Sequence, residues 1–220
     1  MRGIIFDGVF DVAGAGKMER EVYRLSSAIN STAEIIRRCL HNDASTSPPT
    51  RLVRWNNDNH VCTILNVDGS CIGDPIRTGF GGVIRSYSGS YVTEFSGFIN
   101  SPNDILFAEL TAIYQGLQLA VNLDFEELVC YSDSLLAVNL IKGDTSFYHV
   151  YAVLIQNIKD LLNSRNYSIH HSLREGNHCA DFMAKLGATT DVDLTVYSSL
   201  PEDLLSLLLT DEMGALFLRS

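Results

Sequence analysis

The order of strand-like and helix-like patterns between residues 61 and 187 constrains the fold of this chain more than any other feature. Three strand patterns come first: VCTILNVDGS at 61–70, which ends in an Asp-Gly turn signal, and two within 79–99 that meet at Ser88-Gly89. The remaining patterns are a helix at 104–122, a strand at 127–131, helices at 132–141 and 151–162, a strand at 167–171, and a helix at 177–186 capped by Gly187. This order predicts an α/β fold in which a mixed five-stranded sheet, with its first three strands antiparallel, is flanked by helices.

The two ends of the chain lie outside this pattern. Apolar residues between positions 17 and 41 recur at helical spacing and predict one helix, and the Ser/Thr/Pro-rich segment NDASTSPPT at 42–50 predicts a linker. The last thirty residues predict a tail with one short amphipathic helix. We therefore divide the chain into an N-terminal extension (1–54), a domain (55–190) and a C-terminal tail (191–220).

The composition narrows the class of protein. Apolar residues make up 46% of the chain and charged residues 19%, which is typical of globular proteins in water. No apolar run approaches the roughly 18 residues that a membrane helix needs, so we expect no membrane partner. The five cysteines are scattered without a CxxC pair, which favours reduced thiols in an intracellular protein, with nucleus or cytoplasm left open.

The net charge of −10 argues against tight binding of nucleic acid. Proteins that hold nucleic acid tightly usually neutralise its phosphates with Lys and Arg. Residues 61–190 contain seven Lys/Arg and thirteen Asp/Glu, with no basic stripe. Any nucleic acid should therefore be weakly held.

Four acidic residues fall where strand ends or helix faces of the predicted sheet could bring them together: Asp68, Glu109, Asp133 and Asp181. Three of them have simple alternative explanations, because Asp68 fits an Asp-Gly turn and Asp133 and Asp181 fit the first turns of helices. Glu109 lies at the edge of the apolar stripe that should face the sheet, where a carboxylate normally needs a partner or a metal.

The predicted topology favours a metal site. The first and fourth strands should be central neighbours, so their carboxyl ends would place Asp68 beside Asp133. Carboxylates that close repel each other, and two divalent cations would remove the conflict. Oxygen-only ligands suit Mg²⁺ or Mn²⁺, and such a pair can activate a water and stabilise a leaving oxygen.

Five short motifs occur in a characteristic order: NVDGS at 66–70, GFGGVIR at 79–85, AEL at 108–110, SDS at 132–134 and REGNHCAD at 174–181. Together they resemble the ribonuclease H domain of plant non-LTR retrotransposon polyproteins and their free-standing relatives, over about residues 52–220. The resemblance implies a ribonuclease H-like fold with two Mg²⁺ (or Mn²⁺) ions and no small-molecule cofactor. It also implies that Asp68, Glu109, Asp133 and Asp181 are the catalytic metal ligands.

The resemblance implies further site residues. Ribonucleases H generally carry a mobile His ten residues before the last Asp, and His171 stands at that spacing from Asp181. There it would assist proton movement at the leaving oxygen or product release, unless it only ends a strand. His170 should face the opposite side of that strand, and Asn177 should cap the last helix. The residues implied to contact nucleic acid are Gly69, Ser70 and Ser134.

Four departures from the family pattern predict weak binding of a hybrid. Asp74 adds a negative charge where many members have Asn, and Leu135 replaces a frequent Gln. The apolar residues 105–108 precede Glu109, where hybrid-cleaving relatives often have Asn. No basic protrusion follows the second helix.

Three functions are compatible with these sequence features. The first is a monomeric, metal-dependent endonuclease that hydrolyses the RNA strand of RNA–DNA hybrids. The second is a catalytically weak or inactive retrotransposon-derived domain that acts as a nucleic-acid or protein interaction module. The third, a 3′–5′ exonuclease, is disfavoured because such enzymes usually place two acids one residue apart on the first strand, and this chain has only Asp68 there.

Overall fold

The structure, a computed structural model, describes residues 52–53, 55–56, 60–212 and 217–218. The helix predicted between residues 17 and 41 and the linker predicted at 42–50 lie outside the described residues. The strands are β1 (Leu52–Val53), β2 (Thr63–Ile72), β3 (Arg77–Arg85), β4 (Tyr91–Ile99), β5 (Glu127–Ser132), β6 (Asn166–His171), β7 (Thr195–Tyr197) and β8 (Phe217–Leu218). The helices are α1 (Ile105–Asn122), α2 (Leu135–Lys142), α3 (Ala152–Ser164), α4 (His178–Thr189) and α5 (Glu202–Glu212), with a 3-10 turn at Arg174–Gly176.

The main sheet is mixed, as predicted, with the strand order β6-β5-β2-β3-β4-β7. Strands β2, β3 and β4 form an antiparallel meander, whereas β5 and β6 run parallel to β2 on its other side. The predicted strand count was wrong, because β7 pairs antiparallel with β4 and adds a sixth strand. Strand β7 has only three residues, so its sequence shows too little alternation to be recognised without its partner. Strands β1 and β8 form a separate antiparallel pair.

Helix α1 packs on one face of the sheet and carries Glu109. Its N-cap is Asp104, whose Oδ1 accepts hydrogen bonds from the backbone N–H groups of Leu106 and Phe107 at 2.8 and 3.3 Å. Its apolar stripe is buried against the sheet, and the buried apolar side chains are Ala108, Leu110, Ala112, Ile113, Leu117 and Ala120. A Cβ atom at Gly69 of β2 would lie 2.5 Å from the Glu109 backbone nitrogen. Glycine is therefore required where α1 meets the strand.

Helix α4 packs on the opposite face, and its observed end corrects a prediction. Gly187 was predicted to cap the helix, but the helix continues to Thr189. A Cβ atom at Gly187 would lie 2.5 Å from the carbonyl oxygen of Gly97. This glycine therefore allows close packing on β4 instead of ending the helix.

Helix α5 lies where the sequence predicts a short helix in the tail. Its Leu204 and Leu208 are buried in one cluster with Val83 of β3 and with Cys179 and Met183 of α4. Among the described residues, no helix is both long enough and apolar enough to span a membrane.

Candidate active site

Three of the four predicted acids converge at one end of the central strands. Asp68 comes from β2, Glu109 from α1, and Asp133 from the residue after β5. One carboxylate oxygen of each lies within 4.8 Å of the others, and we call these residues the carboxylate triad. Parallel pairing of β2 with β5, in register at Val67 and Ser132, brings Asp68 next to Asp133 as the topology predicts.

The interpretation of Asp68 as the end of its strand was wrong. Strand β2 continues to Ile72, and Gly69 pairs with Phe80 of β3 instead of forming a turn. The turn follows β2 at 73–76, where Gly73 has a positive φ of 81°. Asp68 is therefore an internal strand residue just beyond the last β2–β5 pair.

Burial and mutual repulsion dominate the electrostatics of the triad. The side chains of Asp68 and Glu109 are buried, and Asp133 is half-buried. Burial, followed by the neighbouring Glu109 and Asp133 carboxylates, raises the pKa of Asp68 well above its usual range. Burial and Asp133 raise the pKa of Glu109, whereas a hydrogen bond from the Gly69 backbone opposes that rise. Without added positive charge, the triad should therefore hold protons at neutral pH.

The chemistry of the triad fits a divalent cation. Glu109 Oε2 is fully buried and has no hydrogen-bond partner in the described part of the chain. An unsatisfied buried carboxylate oxygen is costly unless a cation or a proton accompanies it. Because the triad supplies only oxygen ligands, it suits a hard ion such as Mg²⁺ or Mn²⁺ better than zinc.

Asp181, the fourth predicted ligand, lies outside the triad. It is in the first turn of α4, and its Oδ2 accepts a hydrogen bond from Lys185 Nζ at 2.7 Å. Arg174 places a guanidinium nitrogen 3.9 Å from Asp181 Oδ1. Asp181 is nevertheless close enough for its charge to contribute to the raised pKa of Asp68. The two residues therefore interact electrostatically, although Asp181 is engaged by cationic side chains.

His171 lies beside the triad but does not belong to it. It is the last residue of β6, and its Nε2 lies 3.2 Å from the backbone oxygen of Asp133. Burial lowers the pKa of the imidazole, which favours its neutral form. His170 lies near His60 and Tyr131, with ring centroids 5.2 and 6.0 Å away.

The three residues predicted to contact nucleic acid have structural contacts of their own. Gly69 lets α1 approach β2 and hydrogen-bonds the Glu109 carboxylate. Ser70 is buried, and Ser134 Oγ accepts a hydrogen bond from Ala137 N at 3.4 Å as the N-cap of α2. Their role in binding nucleic acid remains a prediction.

Asn177 supports the site in a way that the sequence did not reveal. It was predicted to cap α4, and it occupies that position without a side-chain cap. Its Nδ2 donates instead to the backbone oxygen of Val67 at 2.9 Å, one residue before Asp68. Because Asn is common at N-caps, the sequence offered no signal for this link between α4 and β2.

The fold and the carboxylate triad define a ribonuclease H-like domain. The family described as reverse transcriptase-like matches residues 66–187, and the chain belongs to this family. It is similar to an Arabidopsis thaliana protein provisionally named a ribonuclease H protein, with 27% identity over 169 residues. That match covers 75% of this chain and 27% of the relative, so the chain spans about a quarter of the relative's length.

Solved structures agree on the fold. Ribonuclease H1 from Halobacterium salinarum is 24% identical with a TM-score of 0.52, over 57% of this chain and 96% of that chain. A ribonuclease H1 isolated from compost is 25% identical with a TM-score of 0.52, over 59% of this chain and 96% of that chain. The same compost enzyme in complex with an RNA/DNA hybrid gives a TM-score of 0.51 at 24% identity, over 57% and 96% of the two chains.

Proposed function

We propose that this chain is a metal-dependent endonuclease that hydrolyses the RNA strand of RNA–DNA hybrids. The observation that carries the proposal is the carboxylate triad, with one oxygen from each of three acids within 4.8 Å of the others. Keeping two of these carboxylates buried together is unfavourable for a domain that only needs to fold. The triad therefore supports a functional role for the acids.

Each residue has a distinct role in this proposal. Asp68, Glu109 and Asp133 hold Mg²⁺ or Mn²⁺, and Asp181 completes the set for a second ion. When bound, such ions supply the positive charge that activates an attacking water and stabilises the leaving 3′-oxygen. His171, whose Nε2 lies 3.2 Å from the Asp133 backbone oxygen, would accept or return a proton at the leaving group.

The nature of the substrate rests on similarity and on charge. The compost ribonuclease H1 with the same fold has been solved with an RNA/DNA hybrid, which supports a hybrid as the ligand here. Most cations of the domain are already engaged within the protein: Arg77 with Asp191, Arg85 with Asn66, Lys159 with the Gly143 carbonyl, Arg165 with Asp124, and Lys185 with Asp181. Few remain for phosphate, so we expect weak, salt-sensitive binding.

Cleavage of a labelled substrate tests the proposal directly. The full chain with Mg²⁺ or Mn²⁺ should cut the RNA strand of a hybrid internally and leave single-stranded RNA and duplex DNA intact. Asp133→Asn should abolish cutting, because it removes a ligand charge from a half-buried position while keeping the shape of the side chain. An inactive wild type at high enzyme concentration, with either metal, would contradict the proposal.

The engagement of the cations also favours a second candidate. A domain whose cations are used internally could keep the fold as an interaction module with little catalysis. Hybrid binding in a gel-shift assay with an inactive wild type would support this module. Cleavage that requires Asp133 would exclude it as the sole function.

A further inference from the structure

The candidate metal site is divided between two environments. The triad is built from β2, α1 and the end of β5, and two of its three side chains are buried. Asp181 comes from α4 on the opposite face of the sheet, and its side chain is 23% exposed. The triad and Asp181 therefore approach the candidate metal site from different layers of the fold.

Asp181 is held by a cation from its own helix. Lys185 is four residues later in α4, so both side chains lie on one face of the helix. The ammonium lies 2.7 Å from Asp181 Oδ2, which is the distance of a direct charged hydrogen bond. Arg174 adds a weaker contact at 3.9 Å, from a side chain that is 78% exposed. Both carboxylate oxygens of Asp181 therefore face positive charge.

An ammonium on a carboxylate oxygen competes with a metal ion for that oxygen. To bind a cation, Asp181 Oδ2 has to leave Lys185, and the ammonium then lies near a second positive charge that it repels. In the triad, Glu109 Oε2 has no hydrogen-bond partner among the described residues, so no ammonium holds that oxygen, although the charge of Arg174 also reaches Glu109. The triad and Asp181 should therefore differ in their affinity for a metal ion.

We propose that Lys185 is a positioning residue that holds Asp181 apart from the carboxylate triad and so makes the two cation sites unequal. This role rests on the proposed function and concerns how binding of the second cation is regulated. The first cation binds the triad, whereas the second binds only when Asp181 exchanges Lys185 for the metal. Lys185 is 51% exposed, and half-exposed pairs are weak, so the exchange remains reversible.

Calorimetric titration of Mn²⁺ into the metal-free full chain, with electron paramagnetic resonance to count bound ions, tests this inference without an activity assay. We expect one stronger and one weaker site in the wild type. Lys185→Gln should tighten the weaker site about fivefold, because the competing pair and the repulsion are both removed. The stronger site should change by less than about twofold, whereas a merely structural effect would weaken both.

A matched control removes the same charge elsewhere. Lys142 is the last residue of α2. The helix is about 12 Å long, and its other end, at Leu135, is the one that lies close to Asp133 in the chain. Lys142→Gln should leave both affinities near those of the wild type, and Lys185→Arg should also do so because it keeps a cation on Asp181. In an Asp181→Asn background, Lys185→Gln should have no further effect. Thermal unfolding of each variant checks that the fold is retained.

The possible outcomes separate the two proposals. Binding of Mn²⁺ with no difference between the wild type and Lys185→Gln would overturn the role of Lys185 and leave the nuclease proposal standing. An equal gain in Lys142→Gln would overturn it as well, since the effect would then be one of net charge. Failure of every variant to bind Mn²⁺ would overturn both proposals.

Discussion

The triad side of the site and the α4 side differ in how firmly the fold holds their acids. On the triad side, strand pairing, the Gly69 contact with α1 and burial leave Asp68 and Glu109 little freedom. On the α4 side, Asp181 is partly exposed and paired with Lys185. The triad side is therefore preformed at an electrostatic cost, whereas the α4 side, in the role proposed for Lys185, would bind a cation only after Asp181 leaves Lys185.

The largest effect should come from disturbing the contact that builds the triad side. In Gly69→Ala, the new Cβ would meet the Glu109 backbone nitrogen at 2.5 Å, and neither the strand nor the helix can yield easily. We expect the free energy of unfolding, measured by urea denaturation, to fall by about 3 kcal/mol. Mn²⁺ binding should fall with it, because Glu109 shifts.

Gly143→Ala is the control for this variant. Gly143 follows α2 and is exposed, and its Cβ would meet only the Asn139 carbonyl oxygen, at 3.0 Å. Its loss of stability should be less than half as large. Equal losses in the two variants would show that the α1–β2 contact is not specially tight.

A second test compares one acid from each side. Glu109→Gln should weaken the stronger Mn²⁺ site about 100-fold, because it removes a buried ligand charge from the triad. Asp181→Asn should leave that site within about threefold and weaken only the second. Calorimetric titration measures both affinities. If Asp181→Asn weakened the stronger site as much as Glu109→Gln did, Asp181 would be a ligand of the stronger site and the two sides would not bind metal separately.

The strand and helix order and the triad could be predicted from the sequence because they depend on local patterns and on the neighbouring positions of β2 and β5. Other features depend on contacts between distant segments. Gly187 resembles a helix cap in sequence, and only its approach to Gly97 explains it. The link from Asn177 to the Val67 carbonyl and the strand β7 likewise exist only through their partners. The Lys185–Asp181 pair is visible as an i,i+4 spacing, but the effect proposed for it on metal binding depends on the position of the triad.

The pH dependence of stability should show the electrostatic cost of the triad side. Raised pKa values of Asp68 and Glu109 mean that the metal-free folded state binds more protons than the unfolded state above about pH 4. The free energy of unfolding should therefore fall as pH rises from 5 to 8. Saturating Mn²⁺ should remove most of this fall, and its chelation should restore it.

Buried Glu94 makes a separate contribution that has to be subtracted. Burial raises the pKa of Glu94 to about 7, so it also destabilises the fold as pH rises, whether metal is present or not. Glu94→Gln should remove this part and leave the metal-sensitive part unchanged. A metal-free protein whose stability rises over the same pH range would contradict the proton-holding triad.

The smallest expected effect concerns the hydrogen bond that connects the two sides. Asn177 precedes α4 and donates to the Val67 carbonyl of β2. This hydrogen bond therefore connects the helix that carries Asp181 to the strand that carries Asp68. Asn177→Ala should lower the free energy of unfolding by about 1 kcal/mol, since one buried hydrogen bond is lost. Because the triad does not depend on this bond, the stronger Mn²⁺ site should persist, whereas the second should weaken as α4 shifts. Equal weakening of both sites in calorimetric titration would mean that Asn177 supports Asp68 itself, and that α4 belongs to the triad side of the site.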